Sequence, residues 1–332
     1  MKFGVALPTS RDGLMYHPGF CNRDSMVQMT RLAEELGFES VWGNDHITTQ
    51  AYLKQVRPLP NYYEVLTSLS YLAAVTNRIR LGTGIVPLPL RNPVILAKQS
   101  ATLDNLSGGR HVLGVGIGAY REEFESIMGN GRRGDIFTEG LEAMKKLFEE
   151  NDASYSGKYV RFHGIDLNPK PIQKPFPIYI GGNSHDHLRR IAKYGGGWLP
   201  AAMPVDQLAK FVEELKALIR EEHRSMSEID VAMETGLAVA SSDDEAKKQF
   251  ARSPMYKHLQ SLKGSTLKDL DVSSSDRIFE VNFVGRPESL VRKVERYSAS
   301  GATTLWFDFV GDSLEEVTSG MKRFAGDVMS SF

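Results

Sequence analysis

The sequence predicts an α/β chain closed into a (β/α)8 barrel of the TIM type. Short apolar strands recur eight times along the 332 residues, and each is followed by a segment with helical periodicity. Right-handed crossovers close eight such units into a barrel more readily than into an open sheet. A doubly wound sheet is the alternative, but its phosphate loop would follow the first strand, and Leu7–Arg11 contains no glycine.

The clearest unit spans residues 76–124. Arg80–Val86 is an apolar, glycine-broken strand, and Pro93 stands where a helix can begin because its missing N–H costs nothing there. Val94–Leu106 has apolar residues at helical spacing, Ser107–Gly109 ends it, and His111–Ile117 is the next buried strand. In a parallel sheet both strand ends face the same side, where a site for a flat ligand can form.

The same alternation predicts the other elements. The remaining strands are Lys2–Leu7, Glu39–Gly43, Pro177–Gly182, Gly197–Leu199, Ile229–Ala240 and Thr303–Val310. The remaining helices are Asp24–Leu36 with Asp24 as its cap, Tyr63–Val75, Thr138–Phe148, Asp186–Lys193, Val205–Glu222, Pro287–Ala299 and Ser313–Phe324.

Two stretches interrupt this rhythm within what we expect to be a single domain, residues 1–332. Asn151–Pro175 contains a hairpin pattern that turns at Ser156–Gly157. A second insertion is expected over Ala251–Ile278, where the polar stretch Ser261–Arg277 is expected to be mobile.

Composition excludes several classes of protein. A formal net charge of −1 gives no support for nucleic-acid or membrane-surface binding, and no apolar run approaches the ~20 residues that span a bilayer. Cys21 is the only cysteine, and His185 and His187 lack a carboxylate at ligand spacing, so no metal site is expected. Because Met1 leads directly into the first strand, no signal peptide is expected and a cytoplasmic location is predicted.

Several motifs, in order along essentially the whole chain, resemble the bacterial luciferase-like family of flavin- and deazaflavin-dependent oxidoreductases. They are Arg31–Gly37, Asn44–His46, Arg80–Gly84, Arg91–Pro93, Leu103–Arg110, Gly114–Gly118 with Glu123–Phe124, Pro177–Gly182 and Gly196–Trp198. The resemblance implies a barrel with an inserted excursion, frequent dimers, and reduced FMN or coenzyme F-420 bound at the carboxyl ends of the strands.

The turn Asn44–His46 supplies the candidate catalytic residues. His46 ends the second strand, where an imidazole can act as acid or base or donate to a cofactor carbonyl. The alternative is a loop histidine capped by its neighbour, and the resemblance favours the functional interpretation. Asn44 could contact the flavin pyrimidine edge, while Asp45 could equally be a buried structural partner.

The candidate cofactor-binding residues follow later strands. For Thr83, Gly84 and Ile85 the resemblance implies a non-proline cis peptide near Gly84–Ile85 behind the ring, the alternative being a plain barrel kink. Gly116 and Gly118 would line the pocket floor. Tyr120 and Arg121 offer an aromatic edge and a cation, whereas Glu122, Glu123 and Glu125 are expected to be solvated or structural.

A phosphate cradle is predicted at Gly181–Ser184, that is Gly181, Gly182, Asn183 and Ser184, because free amides and a helix dipole meet there. The alternative is a simple helix cap with two turn glycines. Trp198 could wall the pocket or pack in the core. Asp308, on the last strand, could be structural.

The expected function is a luciferase-like monooxygenase that uses reduced FMN and O2 on a small organic substrate. A separate flavin reductase is expected as partner, and a homodimer through Tyr63–Val75 and Val94–Leu106. Hydride transfer from coenzyme F-420 is the alternative, its anionic tail bound by Arg121, Arg132 and Arg133. A non-catalytic flavin-binding barrel is a further alternative. The loops Ile47–Asn61 and Ser261–Arg277 contain no motif that identifies the substrate.

Overall fold

Eight parallel strands close into a ring at the centre of the molecule. The structure is a computed structural model that describes residues 1–50, 53–261 and 274–332. Within these ranges the strands are β1 Lys2–Leu7, β2 Ser40–Gly43, β3 Arg80–Thr83, β4 Val86–Pro87, β5 His111–Gly116, β6 Ala153–Ser156, β7 Arg161–Ile165, β8 Ile178–Gly181, β9 Gly197–Leu199, β10 Asp230–Val239, β11 Phe283–Gly285 and β12 Thr304–Phe309. The ring runs β1, β2, β3, β5, β8, β9, β10, β12, and β12 pairs again with β1. The predicted barrel is confirmed.

Helices cover the outside of the ring. In the described ranges they are α1 Arg23–Glu35, α2 Val65–Ala73, α3 Pro93–Ser107, α4 Arg121–Met128, α5 Arg133–Glu149, α6 His185–Tyr194, α7 Val205–Glu221, α8 Asp243–Arg252, α9 Pro254–Ser261, α10 Ser275–Val281, α11 Pro287–Ala299 and α12 Leu314–Asp327. None of the helices in these ranges is long and apolar enough to cross a membrane.

Local sequence explains most helix ends. Pro93 is the first residue of α3, Asn92 caps it by accepting from the amides of Val94 and Ile95, and Gly108 ends it in the left-handed region at φ 71°. The prediction that Asp24 caps α1 was wrong, because the side chain of Asn22 accepts from the amide of Ser25 and the Ser25 hydroxyl completes a capping box.

The single strand predicted over Arg80–Val86 is two strands. β3 ends at Thr83 and β4 begins at Val86, and the Gly84–Ile85 peptide between them is cis, as the family resemblance implied. β4 still pairs in parallel with β5. The chain therefore departs from the ring at Gly84 and returns beside the next strand, which places Ile85 at the mouth of the barrel.

Both insertions have structure of their own. In the first, β6 and β7 pair as an antiparallel hairpin, and the amide of Gly157 donates to Val160 at 2.9 Å to close the turn. The second contributes α9 and α10, which the sequence did not predict. Most of the Ser261–Arg277 stretch, residues 262–273, lies outside the described residues, so the expectation of mobility there stays a prediction.

Alternating side chains fill two layers. Ala6, Trp42, Val112, Tyr179, Leu199, Ala232 and Trp306, each from a different ring strand, form one cluster that fills the barrel interior. Trp42 stacks on Trp306 with ring centroids 5.4 Å apart. A larger cluster joins the opposite strand faces to the helices. The interior is thus closed by aromatic packing, which leaves the loops at the carboxyl ends of the strands to form cavities.

Candidate functional site

Two adjoining cavities open at the carboxyl ends of the barrel strands. The larger, of about 370 Å³, lies between the loops after β3, β5, β8 and β9. The smaller, of about 190 Å³, lies beside the loops after β1 and β2. Gly84, Ile85, Gly118, Ala119 and Glu234 line both. Since these residues belong to both walls, the two cavities form one elongated site, and we call them the cradle cavity and the reaction cavity.

Glycines shape the cradle cavity around Ile85. A methyl group added to Gly181 would lie 2.9 Å from Cγ2 of Ile85, and one added to Gly116 would lie 3.1 Å from its Cδ1. Gly118 has φ +82°, a conformation that favours glycine. The site therefore has room for a broad, flat ligand only because these positions lack side chains.

The predicted phosphate cradle is brought together at one end of this cavity. Gly182, Asn183 and Ser184 line it, and Ser184 is the residue preceding α6. The first amides of a helix have no partner within it, and the helix dipole favours an anion there. Asn183 is fixed because its Oδ1 accepts from the amide of Ala201 at 3.1 Å.

His187 adds a ring that was considered from the sequence only as a metal ligand and was rejected as one. Its Nδ1 lies 2.6 Å from the Ser184 hydroxyl, and its buried Nε2 has no partner among the residues that the structure describes. Burial, assisted by the nearby charge of Arg190, lowers the pKa of His187 to about 4, so the ring is neutral at neutral pH. A neutral imidazole beside the start of α6 can offer an N–H to an anion in the cradle.

The reaction cavity contains an acid–base pair. Nδ1 of His46 lies 3.1 Å from Oε2 of Glu123, and the other carboxylate oxygen accepts from the amides of Ile47 at 2.6 Å and Thr48 at 3.2 Å. Burial raises the pKa of Glu123, but its bonds to His46 and to these amides outweigh burial and leave that pKa below its ordinary value. An ionised carboxylate thus lies against one nitrogen of the His46 ring and orients it.

Asn44 and Asp45 flank His46 with structural contacts. The Asn44 amide bonds the main chain of Ser10 through both its oxygen and its nitrogen. Asp45 accepts from Arg91 at 2.5 Å, and Arg91 also lies 3.3 Å from Glu64. Burial raises the pKa of Asp45 although Arg91 acts against it. Both residues line the reaction cavity, and their contacts hold the loop that presents His46, which is the structural alternative stated for Asp45; a catalytic role for either stays a prediction.

A buried ion cluster lies beneath the junction of the cavities. Arg11 donates at 2.6 Å to Asp308 and at 2.6 Å to Glu234, and its guanidinium lies over Trp306. Burial raises the pKa of Asp308; Arg11 opposes this shift and the charge of Glu234 adds to it. Arg11 is 2% exposed and Glu234 31%, so Glu234 is the part of the cluster that faces the site.

Three predicted cofactor ligands are placed elsewhere. Trp198 is fully buried outside the ring, where it packs edge-on against Phe211 and donates to the carbonyl of Gly182 at 2.8 Å. The period-2 alternation of β9 explains the error, because it turns Leu199 and not Trp198 into the barrel. Thr83 is buried and ties β3 to β5 through Gly114.

Arg121 is the third predicted cofactor ligand that the structure places elsewhere. Its side chain is 72% exposed and lies 3.8 Å from Glu125, at the rim and not in either cavity. Tyr120, in contrast, lines the reaction cavity, with its ring centroid 5.4 Å from that of His46. The two neighbours differ because α4 begins at Arg121 and turns that side chain outward.

Four residues of the site were missed or undervalued. Glu123 was expected to be solvated or structural, Glu234 and His258 were not singled out, and Arg11 was noted only for the lack of glycine before it. Glu123 could have been found from its place within the family motif. In the described part of the chain no group of three metal-ligating side chains occurs.

Replacing Gly181 by alanine is expected to weaken cofactor binding at least tenfold. The added methyl group would displace Ile85, which lies within 2.9 Å of it, into the cradle cavity. The measurement is fluorescence titration with FMN. Gly326→Ala is the matched control, because an added methyl group there would meet no described residue within 4 Å; equal affinity of both variants would show that the cradle does not hold the cofactor.

The fold is a (β/α)8 barrel with an elongated site at the carboxyl ends of its strands, and comparison with known proteins identifies the family of the chain. Residues 1–304 match the family model for luciferase-like monooxygenases, and the chain belongs to that family. An uncharacterised protein of Mycobacterium tuberculosis is 32% identical over 65% of this chain and 79% of its own. The oxygenase component of flavin-dependent trigonelline monooxygenase from Acinetobacter baylyi is 24% identical over 93% of this chain and 89% of its own.

Among solved structures, the coenzyme F-420-dependent tetrahydromethanopterin reductase of Methanopyrus kandleri superposes with a TM-score of 0.78. It is 22% identical and the match covers 100% of this chain and 99% of that one. At this identity the likeness shows the fold. The family includes enzymes that use FMN and enzymes that use F-420, so membership establishes a flavin-type oxidoreductase or monooxygenase family and leaves the cofactor to other evidence.

Proposed function

We propose that this protein is a monooxygenase that uses reduced FMN and O2 on a small organic substrate. The observation that carries the proposal is the elongated site, in which a glycine-shaped cradle ends at the start of α6 and joins a cavity containing the His46–Glu123 pair. A flat cofactor ring with an anionic side chain would occupy the cradle cavity. A substrate that exchanges protons would occupy the adjoining reaction cavity.

The residues present fit such a cofactor. Gly84, Ile85, Gly116 and Gly181 leave space for the ring, while Ser184 and the buried, unpartnered Nε2 of His187 suit a phosphate. When bound, reduced FMN supplies the electrons that activate O2.

The chain's own residues then handle position and protons. Glu123 keeps His46 oriented, and His46 can deliver a proton to, or remove one from, a substrate atom in the reaction cavity. Tyr120 and Ile85 cover the adjoining wall, and the aromatic packing of Trp42 and Trp306 closes the interior below. These contacts give the place where the reacting groups meet a largely apolar wall and floor.

The choice of FMN is supported by the arginines near the mouth. Arg121 lies 3.8 Å from Glu125, Arg132 lies 3.1 Å from Asp135, and Arg133 donates to the carbonyl of Gly118 at 3.0 Å. Arg121 and Arg132 each lie beside a carboxylate, which offsets part of the positive charge offered to a long anionic tail, and the guanidinium of Arg133 is already bonded to a carbonyl. A separate reductase as partner is part of this proposal, in keeping with a relative that is the oxygenase component of its system.

Hydride transfer from coenzyme F-420 is the second candidate, and the same region supplies its supporting observation. Arg121 and Arg133 are close enough that their charges repel, which contributes, after burial, to lowering the pKa of Arg133. Two neighbouring cations beside Gly118 at the mouth could attract a polyanionic tail, although each already has a contact within the protein.

Anaerobic titration with each reduced cofactor decides between the candidates. We expect FMN to bind more tightly than F-420. Tight F-420 binding without FMN binding would make the enzyme a hydride-transfer oxidoreductase, and binding of neither would refute the proposal. The control variant is Gly181→Ala, which should weaken whichever cofactor binds.

We also propose a homodimer through α2 and α3. Tyr71, Ile95 and Leu106 on these helices are 49%, 57% and 72% exposed, an apolar surface suited to a two-fold interface. Light scattering is expected to give twice the chain mass, and Ile95→Lys with Leu106→Lys should yield monomer. Ile127→Lys, at an exposed position on α4, is the control and should stay dimeric. A monomeric wild type at micromolar concentration would contradict the expectation.

A further inference from the structure

One acidic side chain lies where the two cavities meet. In the described part of the chain, the ionisable side chains along the cradle cavity are His187 and Glu234, and those along the reaction cavity are Arg11, Asp45, His46, Tyr120, Glu123, Glu234 and His258. Among these residues Glu234 is the one that belongs to both cavities. Since a flat ligand in the first cavity and a substrate in the second would approach each other there, Glu234 can reach an atom of either.

The barrel topology fixes the position of this acid. β10 pairs in parallel with β12, with Glu234 opposite Trp306 and Gly236 opposite Asp308. Alternate residues of a strand share a face, so Glu234 lies on the interior face with Ala232, and Asp308 lies on the interior face with Trp306. The two carboxyl groups therefore point into the barrel from neighbouring strands, two residues apart in register.

Arg11 joins the two acids from the loop after β1. Its two terminal nitrogens donate to Asp308 and to Glu234, each at 2.6 Å. The side chains of Arg11 and Asp308 are each 2% exposed, whereas that of Glu234 is 31% exposed. Trp306 supports the guanidinium, which lies over its ring, and the indole donates to the carbonyl of Ala232 at 3.2 Å. Glu234 is thus held in place while part of it stays open to the site.

The cluster of Arg11, Asp308 and Glu234 has one positive and two negative charges when both acids are ionised. An uncompensated charge in the interior costs far more than a neutral carboxyl group, so burial favours a state in which one proton remains on the pair of acids. Burial raises the pKa of Asp308 accordingly; Arg11 opposes this shift and the charge of Glu234 adds to it. Charge balance and burial both favour a proton held by the cluster.

The other ionisable groups around the cluster do not replace this proton. The two other carboxylates of the reaction cavity, Asp45 and Glu123, have partners of their own. Burial lowers the pKa of His187 and of His258 to about 4, so neither brings a positive charge at neutral pH. Burial raises the pKa of Tyr16, which therefore stays neutral beside Arg11. Within the described residues, a proton is the remaining counter-charge for the second acid of the cluster.

We propose that the cluster stores one proton at neutral pH and that Glu234 delivers it to a ligand atom at the junction of the cavities. The inference rests on the proposed function. In that reaction one atom of O2 enters the substrate and the other leaves as water; two electrons and one proton come from the reduced cofactor in its monoanionic form, and the second proton comes from Glu234. The O–H bond of Glu234 breaks, its oxygen keeps the electron pair, and a proton from bulk water later restores the cluster. His46 serves proton exchange with the substrate.

Infrared spectroscopy of the cofactor-free protein tests the stored proton, because the C=O stretch of a protonated carboxyl group is separate from the carboxylate bands. We expect a protonated-carboxyl band at neutral pH that disappears in alkali. Glu234→Gln and Asp308→Asn should each remove the same component of it, since one carboxylate then balances one guanidinium. Glu213→Gln, at an exposed side chain paired with Lys216, is the control and should leave the band unchanged. Should Asp308→Asn not fold, Glu234→Gln gives the same test at a partly exposed position.

Turnover tests the delivery of the proton. Glu234→Gln keeps the shape of the side chain but has no proton to release, so turnover at neutral pH should fall by roughly 10²-fold, the lower end of the range for loss of a general acid, because bulk water replaces it slowly. The wild type should lose turnover from neutral to alkaline pH as the cluster loses its proton, and the variant should lack this loss. Glu234→Asp, which keeps an acid, should restore part of the turnover.

Three results would overturn the inference: no such band in the wild type, a band that both variants retain, or wild-type turnover and pH profile in Glu234→Gln. The cofactor titrations fail independently, because the infrared measurement needs no cofactor. Binding of neither cofactor would refute the proposed function, and with it the delivery, while the band of the cluster would remain.

Discussion

Replacing His46 by alanine is expected to lower turnover by roughly 10²–10⁴-fold, the range for loss of a general acid or base. His46 is the cavity residue that combines partial exposure, 13% of its side chain, with an ionised carboxylate 3.1 Å away. Its removal takes away the proton donor while its neighbours Asn44 and Asp45 retain their own contacts. The measurement is substrate-dependent oxidation of the reduced cofactor.

Two further variants separate a chemical role from a structural one. Glu123→Gln should lower turnover less than His46→Ala, because the amide oxygen can still orient the imidazole by a hydrogen bond although the carboxylate charge is lost. His17→Ala is the control, since His17 is exposed and pairs only with Asp312 at the surface. Wild-type turnover in His46→Ala would remove His46 from the mechanism and favour a non-catalytic barrel.

The barrel was predictable because its signals are local. Each ring strand is a short apolar run, and helix starts such as Pro93 follow from steric and hydrogen-bonding rules that neighbouring residues satisfy. The elements that sequence reasoning missed have weaker local signals. They are the helices α4, α8, α9 and α10, of eight, ten, eight and seven residues, and the three-residue strand β11. Such short elements give a periodicity that hardly stands out from the polar segments around them.

The candidate site likewise has parts that local sequence signals predict and parts that depend on how distant segments pack together. The glycine cradle was visible because glycine at a strand end has a local meaning. The partnership of His46 with Glu123 joins residues 77 positions apart, and it depends on where α4 lies against the loop after β2. Trp198 failed for a different reason: its strand was predicted, but its face was not, and a shift of one residue moves a side chain to the other side of a sheet.

The contact between Arg11 and Asp308 joins residues that are very distant in the sequence. Arg11 pairs with Asp308 across 297 positions of sequence, because closing the ring sets β1 beside β12 and brings the loop after the first strand over the end of the last. The prediction of a closed barrel already contained that adjacency. A basic residue after the first strand and an acid near the end of the last could have been matched on that ground.

Replacing Arg11 by methionine is the stability change with the largest expected effect. Asp308 is fully buried, and one of its carboxylate oxygens already lacks a partner. Without the guanidinium, this carboxyl would have to be buried either as an unpaired charge or in its protonated form, and breaking a buried pair in this way costs about 3–5 kcal/mol of unfolding free energy. Urea denaturation followed by circular dichroism measures it.

The dependence on pH and a double variant identify the cause of that loss. Burial already raises the pKa of Asp308, and loss of the Arg11 charge raises it further. A folded state that holds this proton more tightly than the unfolded chain loses stability as pH rises, so the deficit of Arg11→Met should grow from acid to alkaline pH.

Asp308→Leu in the same chain should recover most of the deficit, because an apolar pair of similar volume removes the buried charge. Arg23→Met, at a pair with Asp24 whose side chains are 72% and 75% exposed, should leave stability unchanged. A deficit for Arg11→Met that is independent of pH and not relieved by Asp308→Leu would mean that lost packing over Trp306, and not the uncompensated carboxylate, destabilises the barrel.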